Sequence, residues 1–197
     1  MSRELRWLIL VVALLSTALL ITGCVDDGGA PPATPVAPLP GSTTSPSAVP
    51  AAELQMRISS PEFANGAPIP PRFTCDGTDI NPALRIENVP AGTKTLALIL
   101  EDPDALRGTW VHWLVYDIPV TIWIDEDSVP GTQGQNDYGV TEYRGPCPPA
   151  GTHRYVFRLY ALNTELQLDE GVEQAALASA MQTHIIATAE LSGYYTR

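Results

Sequence analysis

Three short apolar runs, set among clusters of proline and glycine, most constrain how this chain can fold. The runs cover residues 95–100, 110–118 and 155–162, and their length and composition are typical of buried β-strands. The segments "NGAPIPPRFTCDG" and "RGPCPPAGTHR" exclude long helices where they occur. The sequence therefore predicts a mostly β protein, built as a small antiparallel sandwich.

One helix is predicted near the C-terminus, over "DEGVEQAALASAMQTH". Val172, Ala176, Ala180 and His184 recur at about one-turn spacing, and acidic residues crowd the start, where they suit the helix dipole. We expect this helix to pack near the end of the sandwich and His184 to be structural. The segment that follows, "IIATAELSGYYTR", is predicted to be the last strand.

Residues 1–23 are typical of a secretory signal, with two arginines before an apolar run and small residues after it. The following Thr22-Gly23-Cys24 resembles the lipobox of prokaryotic lipoproteins, which predicts cleavage before Cys24 and a lipid on its thiol. The alternative is an uncleaved membrane anchor, although the apolar run is short for a span of about 20 residues. Both interpretations place the domain outside the cytoplasmic membrane, attached to it.

Residues 24–52 are predicted to form a tether, because proline, alanine, glycine, serine and threonine dominate them and no aromatic residue is present. The folded domain is then predicted to cover residues 53–197. The full chain has a formal net charge of −11, with 11 basic and 22 acidic residues. This acidic balance argues against nucleic acid as a partner and against charge-driven adhesion to anionic lipid.

Two cysteines, Cys75 and Cys147, remain in the predicted domain. In an exported protein a pair of thiols favours one disulfide. Two buried free cysteines are the alternative, since the sequence does not give their separation.

Polar side chains interrupt the apolar strands near their ends. Strict alternation places Trp110, His112, Leu114 and Tyr116 on one face of their strand, with Val111, Trp113 and Val115 on the other. In the neighbouring strands it groups Leu96, Leu98, Leu100 and Asp102, and separately His153, Tyr155, Phe157 and Leu159. If these strand ends converge, they form a polar pocket with apolar walls, which is typical of a ligand site. A neutral core imidazole is the alternative for a lone buried histidine.

The segments "CDGTDINPALRIENVPAGTKTLALILEDPDA", "TWVHWLVYDIP" and "NDYGVTEYRGPCPPAGTHRYVFRLYAL" closely resemble the phosphatidylethanolamine-binding protein family, which includes the Raf kinase inhibitor proteins. The resemblance is to its bacterial and archaeal branch and runs over about residues 58–197. It implies a Greek-key β-sandwich with a pocket for phosphate or phosphorylated head groups, and no cofactor or metal.

The resemblance also implies which residues form the pocket. These are the acids Asp102 and Asp104, the histidines His112 and His153, the rim residues Gly145 and Pro146, and Tyr155, with Tyr194 or Tyr195 as a further aromatic. One position departs from the family pattern, because Leu106 stands where a proline is usual. Without that proline we expect no cis peptide before residue 106 and a differently shaped rim.

Several alternatives stay open at this stage. A hydrolase or lyase could use the histidines and aspartates, with Cys147 and His153 as nucleophile and base, but no G-x-S-x-G or H-E-x-x-H motif is present. A protease inhibitor or other protein-interaction module that modulates a partner is a second alternative, and a homodimer is not excluded. The acidic stretch 124–139 fits no EF-hand and is predicted to be a solvated loop.

Overall fold

The computed structural model describes residues 55–197. The predicted signal, the predicted lipidation site Cys24, the predicted tether and the first residues of the predicted domain lie outside these residues. Within residues 55–197 no helix is long and apolar enough to cross a membrane.

The described chain contains nine strands, one α-helix and one short 3₁₀-helix, Pro71–Phe73. The strands are β1 Arg57–Ser59, β2 Ala67–Pro68, β3 Leu84–Glu87, β4 Thr95–Asp102, β5 Trp110–Pro119, β6 Trp123–Ile124, β7 Thr132–Gln133, β8 Thr152–Leu162 and β9 Ile185–Thr196. The helix α1 covers Gln174–Met181 and lies between β8 and β9 in the chain. The predicted mostly β architecture with one C-terminal helix is confirmed.

The strands form two sheets. One has three strands in the order β1-β3-β6, and the other has six in the order β2-β9-β8-β4-β5-β7. All pairs are antiparallel except β2 with β9, which are parallel. The long central strands β4 and β8 are therefore covered by neighbours on both edges.

Apolar side chains on the two faces of β4 enter two separate cores. Leu96, Leu98 and Leu100 pack with residues of the three-stranded sheet in the main core. Ala97 and Ile99 point the other way, into a second core that α1 covers. All eight residues of β4 are buried, as its nearly continuous apolar sequence predicts.

The predicted strict alternation along β5 is wrong, because the strand contains a bulge. Leu100 of β4 pairs with Trp113, but Glu101 pairs with Val111, which leaves His112 without a partner. An extra residue of this kind bends the strand and turns a side chain to another face.

The bulge separates His112 from Leu114 and Tyr116, with which alternation grouped it, whereas Trp110 still lines the same cavity as His112. Leu114 and Tyr116 lie in the second core, whereas Trp113 and Val115 lie in the main core. The imidazole of His112 instead contacts Tyr155 of β8 edge-on, with ring centroids 5.2 Å apart. Bulges commonly occur beside binding sites, where they redirect a side chain in this way.

The helix is shorter than predicted and buries a different face. It covers only Gln174–Met181, and its buried residues are Leu177 and Met181. In the predicted stripe Ala176 is exposed and Ala180 half-buried, and Val172, which precedes the helix, is half-buried against the second core. The larger Leu177 and Met181, one turn apart, fill that core. The predicted last strand is confirmed as β9, which pairs with β8 along its length.

The acidic stretch 124–139 also differs from the predicted solvated loop. It begins with the buried Ile124, includes the whole of β7 and contains the buried Asn136. Strand β7 pairs with β5, so part of this polar stretch belongs to the six-stranded sheet.

Candidate functional site

A cavity of about 240 Å³ opens where β4 ends and where β5 and β8 begin. Its lining combines a few polar groups with apolar walls: Asp102, Ala105, Leu106, Arg107, Trp110, His112, Tyr138, Cys147, Pro149 and His153. The structure thus brings together one acid and both histidines that the sequence places at separate strand ends. This composition is typical of a small-ligand site.

Asp102 and His153 form a buried pair at the base of the cavity. His153 Nδ1 lies 2.7 Å from Asp102 Oδ2, and both side chains are almost fully buried. The other oxygen, Oδ1, accepts a hydrogen bond of 2.9 Å from the backbone N–H of Asp104. Because Nδ1 donates to the carboxylate, Nε2 is the ring nitrogen of His153 left for a ligand.

His112 is held differently, through a backbone carbonyl. Its Nδ1 lies 2.8 Å from the carbonyl oxygen of Arg144, and the residue is 1% exposed. Burial lowers the pKa of His112, and it outweighs the opposing effects of the Arg144 carbonyl and the charge of Asp102. The ring of Tyr138 packs edge-on against the imidazole, with centroids 5.5 Å apart.

Two buried donors beside the cavity make no hydrogen bond of good geometry within residues 55–197: Trp110 Nε1, which is near the side chain of Tyr138, and the hydroxyl of Tyr155, which is near the Cys147 backbone and Asp102. Trp110 lines the cavity, whereas Tyr155 lies behind the His112 ring and does not. Burial, and then the nearby charge of Asp102, raise the pKa of Tyr155, so its phenol stays protonated at neutral pH. Unpaired buried donors are rare, and of these two only Trp110 Nε1 belongs to a residue that lines the cavity.

Asp104, a predicted pocket acid, does not line this cavity. It is exposed, and its Oδ2 accepts a hydrogen bond of 2.8 Å from the backbone N–H of Arg154. The bond fastens the loop after β4 to the start of β8. Asp104 also lines a neighbouring groove of about 350 Å³ together with Arg154 and Tyr194.

Gly145 and Pro146 do not line this cavity, although Gly145 lines an adjoining one of about 230 Å³ that shares Tyr138 and Cys147 with it. The Gly145 N–H donates to Asp79 Oδ1 over 2.7 Å, and the Pro146 carbonyl accepts from the backbone N–H of Cys75. A Cβ at position 145 would overlap the Phe73 carbonyl oxygen. Glycine is therefore required here by the close approach of another backbone segment.

Neither C-terminal tyrosine lines the cavity. Tyr195 lies opposite His153 in the β8–β9 pairing, and its hydroxyl donates to Asp76 over 2.9 Å. Tyr194 lines the groove beside Asp104.

The rim carries the residue that departs from the family pattern. Leu106 is 90% exposed at the mouth of the cavity, and no peptide bond within residues 55–197 is cis. The neighbouring Arg107 lines the cavity and is exposed. The rim therefore offers one apolar side chain and one cation to whatever enters.

Tyr138 and Asn136 are parts of the site that the sequence analysis missed. Asn136 is buried, and its amide nitrogen donates to the carbonyls of His112 and Glu142 over 3.1 and 2.8 Å. Its oxygen accepts from the backbone N–H groups of Tyr138 and Val140. Three of these partners lie within six residues of Asn136, and only the His112 carbonyl comes from the distant β5.

Replacing Asn136 by alanine should destabilise the loop that carries Tyr138. We expect Asn136→Ala to lower the free energy of unfolding by about 2–3 kcal/mol, because buried backbone groups lose their partners. Denaturant unfolding measures the change. Asn163→Ala is the matched control and should cost under about 0.5 kcal/mol, since Asn163 is exposed; equal losses in the two variants would contradict the role given to Asn136.

Cys75 and Cys147 lie together at the edge of the site. Their Cα atoms are 5.5 Å apart and their Sγ atoms lie at bonding distance. Cys147 lines the cavity, so this contact holds the wall segment against the 3₁₀ region that precedes Cys75.

The two sheets and the cavity at the strand ends are typical of a β-sandwich protein that binds a small ligand. The sequence matches the family described as phosphatidylethanolamine-binding protein over residues 59–196. The chain belongs to this family, in its bacterial and archaeal part.

Relatives and solved structures agree with this assignment. A UPF0098 protein of Methanothermobacter thermautotrophicus is 43% identical over 150 residues, which is 72% of this chain and 99% of that protein. The structure of CT736 from Chlamydia trachomatis, a phosphatidylethanolamine-binding protein homologue, has a TM-score of 0.71 and 42% identity, over 73% of this chain and 98% of its own. YbcL of Escherichia coli, a member of the mammalian phosphatidylethanolamine-binding protein family, has a TM-score of 0.68 and 30% identity, over 73% of this chain and 99% of its own.

Proposed function

We propose that this domain binds a small anion or a phosphorylated head group in the cavity at the strand ends, outside the cytoplasmic membrane. One observation supports this most: His112 and His153 line the same cavity, and each has its Nδ1 held by an oxygen acceptor. Both rings are thereby fixed in place with Nε2 left for a ligand. Such preorganised polar groups lower the cost of ordering a site around an anion.

The charges around the cavity support the same proposal. Both oxygens of the Asp102 carboxylate are occupied, one by His153 Nδ1 and the other by the backbone N–H of Asp104. Arg107 adds a cation at the rim, and Trp110 Nε1 adds an unpaired donor in the wall. An anionic oxygen placed here would gain several donors that protein groups do not use.

Hydrolysis is less well supported than binding. Within residues 55–197 the cavity lining includes no serine or threonine. The one sulfur in the lining is that of Cys147, which lies at bonding distance from the sulfur of Cys75. A disulfide between them would leave no thiolate to act as a nucleophile beside His153.

A titration separates these functions. Phosphoethanolamine and inorganic phosphate should give saturable binding in isothermal calorimetry and should raise the thermal transition temperature in proportion to ligand occupancy. Phosphorus NMR of the same samples should show unchanged ligand after prolonged incubation. Release of free phosphate from an ester would instead favour a hydrolase, and no binding of either ligand would contradict the proposal.

We also propose that the chain is a lipoprotein anchored through Cys24. Cys24→Ala should move the protein from the membrane fraction to the soluble fraction of cells, because a lipid on the thiol would be lost. Fractionation and immunoblotting measure the distribution. Retention of the variant in the membrane fraction would favour the uncleaved anchor, and His184→Ala, which leaves residues 1–24 unchanged, is the control.

A further inference from the structure

We propose that the cavity selects an oxyanion that carries its own O–H group, such as hydrogen phosphate or a singly protonated phosphate monoester, and that His112 Nε2 accepts this hydrogen bond. The inference rests on the proposed function and names its ligand class more narrowly. No proton needs to be transferred, since the ligand keeps its O–H bond while donating.

The hydrogen bond to Arg144 determines the role of the free ring nitrogen. A carbonyl oxygen can only accept, so the 2.8 Å contact requires Nδ1 of His112 to carry the hydrogen. A neutral imidazole has one N–H, and Nε2 is then a lone-pair acceptor. Nε2 would repel a bare anionic oxygen and bind an O–H group.

The packing around His112 favours this neutral ring. It is 1% exposed and lies between the aromatic rings of Tyr138 and Tyr155. Burial lowers the pKa of His112 despite the charges of Asp102 and Asp79, which act the other way. Burial also raises the pKa of both tyrosines, so neither phenol adds a negative charge that would stabilise an imidazolium.

The other charged groups near the ring lie on neighbouring segments. His153 comes from β8 and is paired with Asp102, and Arg107 comes from the loop after β4. The guanidinium of Arg144 is directed to Asp79 and Glu142 instead.

Together these groups give the cavity donors at its rim and wall and an acceptor at His112. Arg107 and Trp110 can donate to bare oxygens, while His112 accepts from a protonated one. Hydrogen phosphate has both kinds of oxygen. Sulfate has nearly the same size and shape but carries no proton at neutral pH, so it would leave His112 Nε2 facing a bare oxygen.

Calorimetric titration of the full chain with inorganic phosphate and with sulfate at pH 7.5 tests the inference. We expect phosphate to bind more tightly by about tenfold to a hundredfold, because one buried acceptor goes without a donor in the sulfate complex. Equal affinities would overturn the inference and leave anion binding intact. Failure of both ions and of phosphoethanolamine to bind would overturn the proposed function itself.

The variant His112→Gln tests whether the preference for phosphate over sulfate depends on the His112 ring. Its terminal amide can present either an oxygen or an N–H group, so phosphate and sulfate should bind with affinities within about threefold of each other. His184→Gln, far along the chain at the end of α1, should keep the wild-type preference. Undiminished preference in His112→Gln would overturn the inference.

A second measurement on the wild-type protein does not depend on the variant folding. Nitrogen-15 NMR of the imidazole rings should show His112 with a protonated Nδ1 and an unprotonated Nε2, both free and with phosphate bound. An N–H at Nε2 in the phosphate complex would overturn the inference.

Discussion

Replacing His112 by alanine is expected to weaken the binding of phosphoethanolamine by at least about a hundredfold. The change removes a ring that is fixed in the cavity wall by the Arg144 carbonyl and packed between two tyrosines. The free energy of unfolding should decrease by about 1–3 kcal/mol, because that carbonyl loses its buried donor. Isothermal calorimetry measures the affinity, and a single cooperative thermal transition should be retained.

A matched control distinguishes the loss of a ligand contact from a general loss of structure. His184→Ala removes an imidazole that bonds to Asn163 and does not line the cavity. It should leave the affinity unchanged. Unaltered affinity in His112→Ala itself would show that the cavity at the strand ends is not the anion site.

The second large effect is expected from Cys75→Ser. The two cysteines are 72 residues apart in sequence, so a bond between them closes a long loop in the unfolded chain. Loss of that constraint should lower the free energy of unfolding by about 4 kcal/mol under oxidising conditions. Denaturant unfolding without reductant measures the loss, and reduction of the wild-type protein should reproduce most of it.

Mass spectrometry decides whether this interpretation holds. The wild-type protein isolated without reductant should be lighter by two hydrogen atoms than the reduced chain. The double variant with Cys147→Ser should be no less stable than Cys75→Ser alone, because the single change already breaks the bond. A wild-type mass that matches two free thiols would refute the disulfide.

Much of the fold could be predicted because its signals are local. The faces of β4 and β8 follow from alternation, and the structure places Leu98 and Phe157 in the main core as that pattern requires. Which strands pair with each other was harder to predict from the sequence. For example, β9 pairs both with β8, the preceding strand in the chain, and with the distant β2. Hydrogen bonds between strands depend on contacts far apart in sequence, which a single sequence does not record.

The candidate site was predicted in part. The resemblance named Asp102, His112 and His153, and all three line one cavity. It also named Asp104 and Gly145, whose polar groups bond to protein partners instead. A motif identifies which residues matter, but it does not distinguish a group that faces a ligand from one that holds the loop beside it.

The bulge in β5 causes the largest difference between the strand faces predicted by alternation and those in the structure. Alternation grouped His112 with Leu114 and Tyr116, whereas the extra residue opposite Leu100 turns it toward Tyr155 and the cavity. The apolar sequence around His112 contains no glycine or proline that would mark the irregularity. Leu100 pairs with Trp113 and Glu101 pairs with Val111, so His112 is the extra residue in β5. This register depends on how the two strands pair and not on the sequence of β5 alone.

The amino-acid sequence by itself determined the class of fold, the position of the strands and the few titratable residues set among apolar ones, because side-chain burial imposes periodic patterns on neighbouring residues. The tertiary structure alone decided which nitrogen of each histidine is occupied and which acids face the cavity. Those properties depend on backbone carbonyls and carboxylates that reach the rings from segments tens of residues away. Proximity of this kind is a product of folding, and no local pattern encodes it.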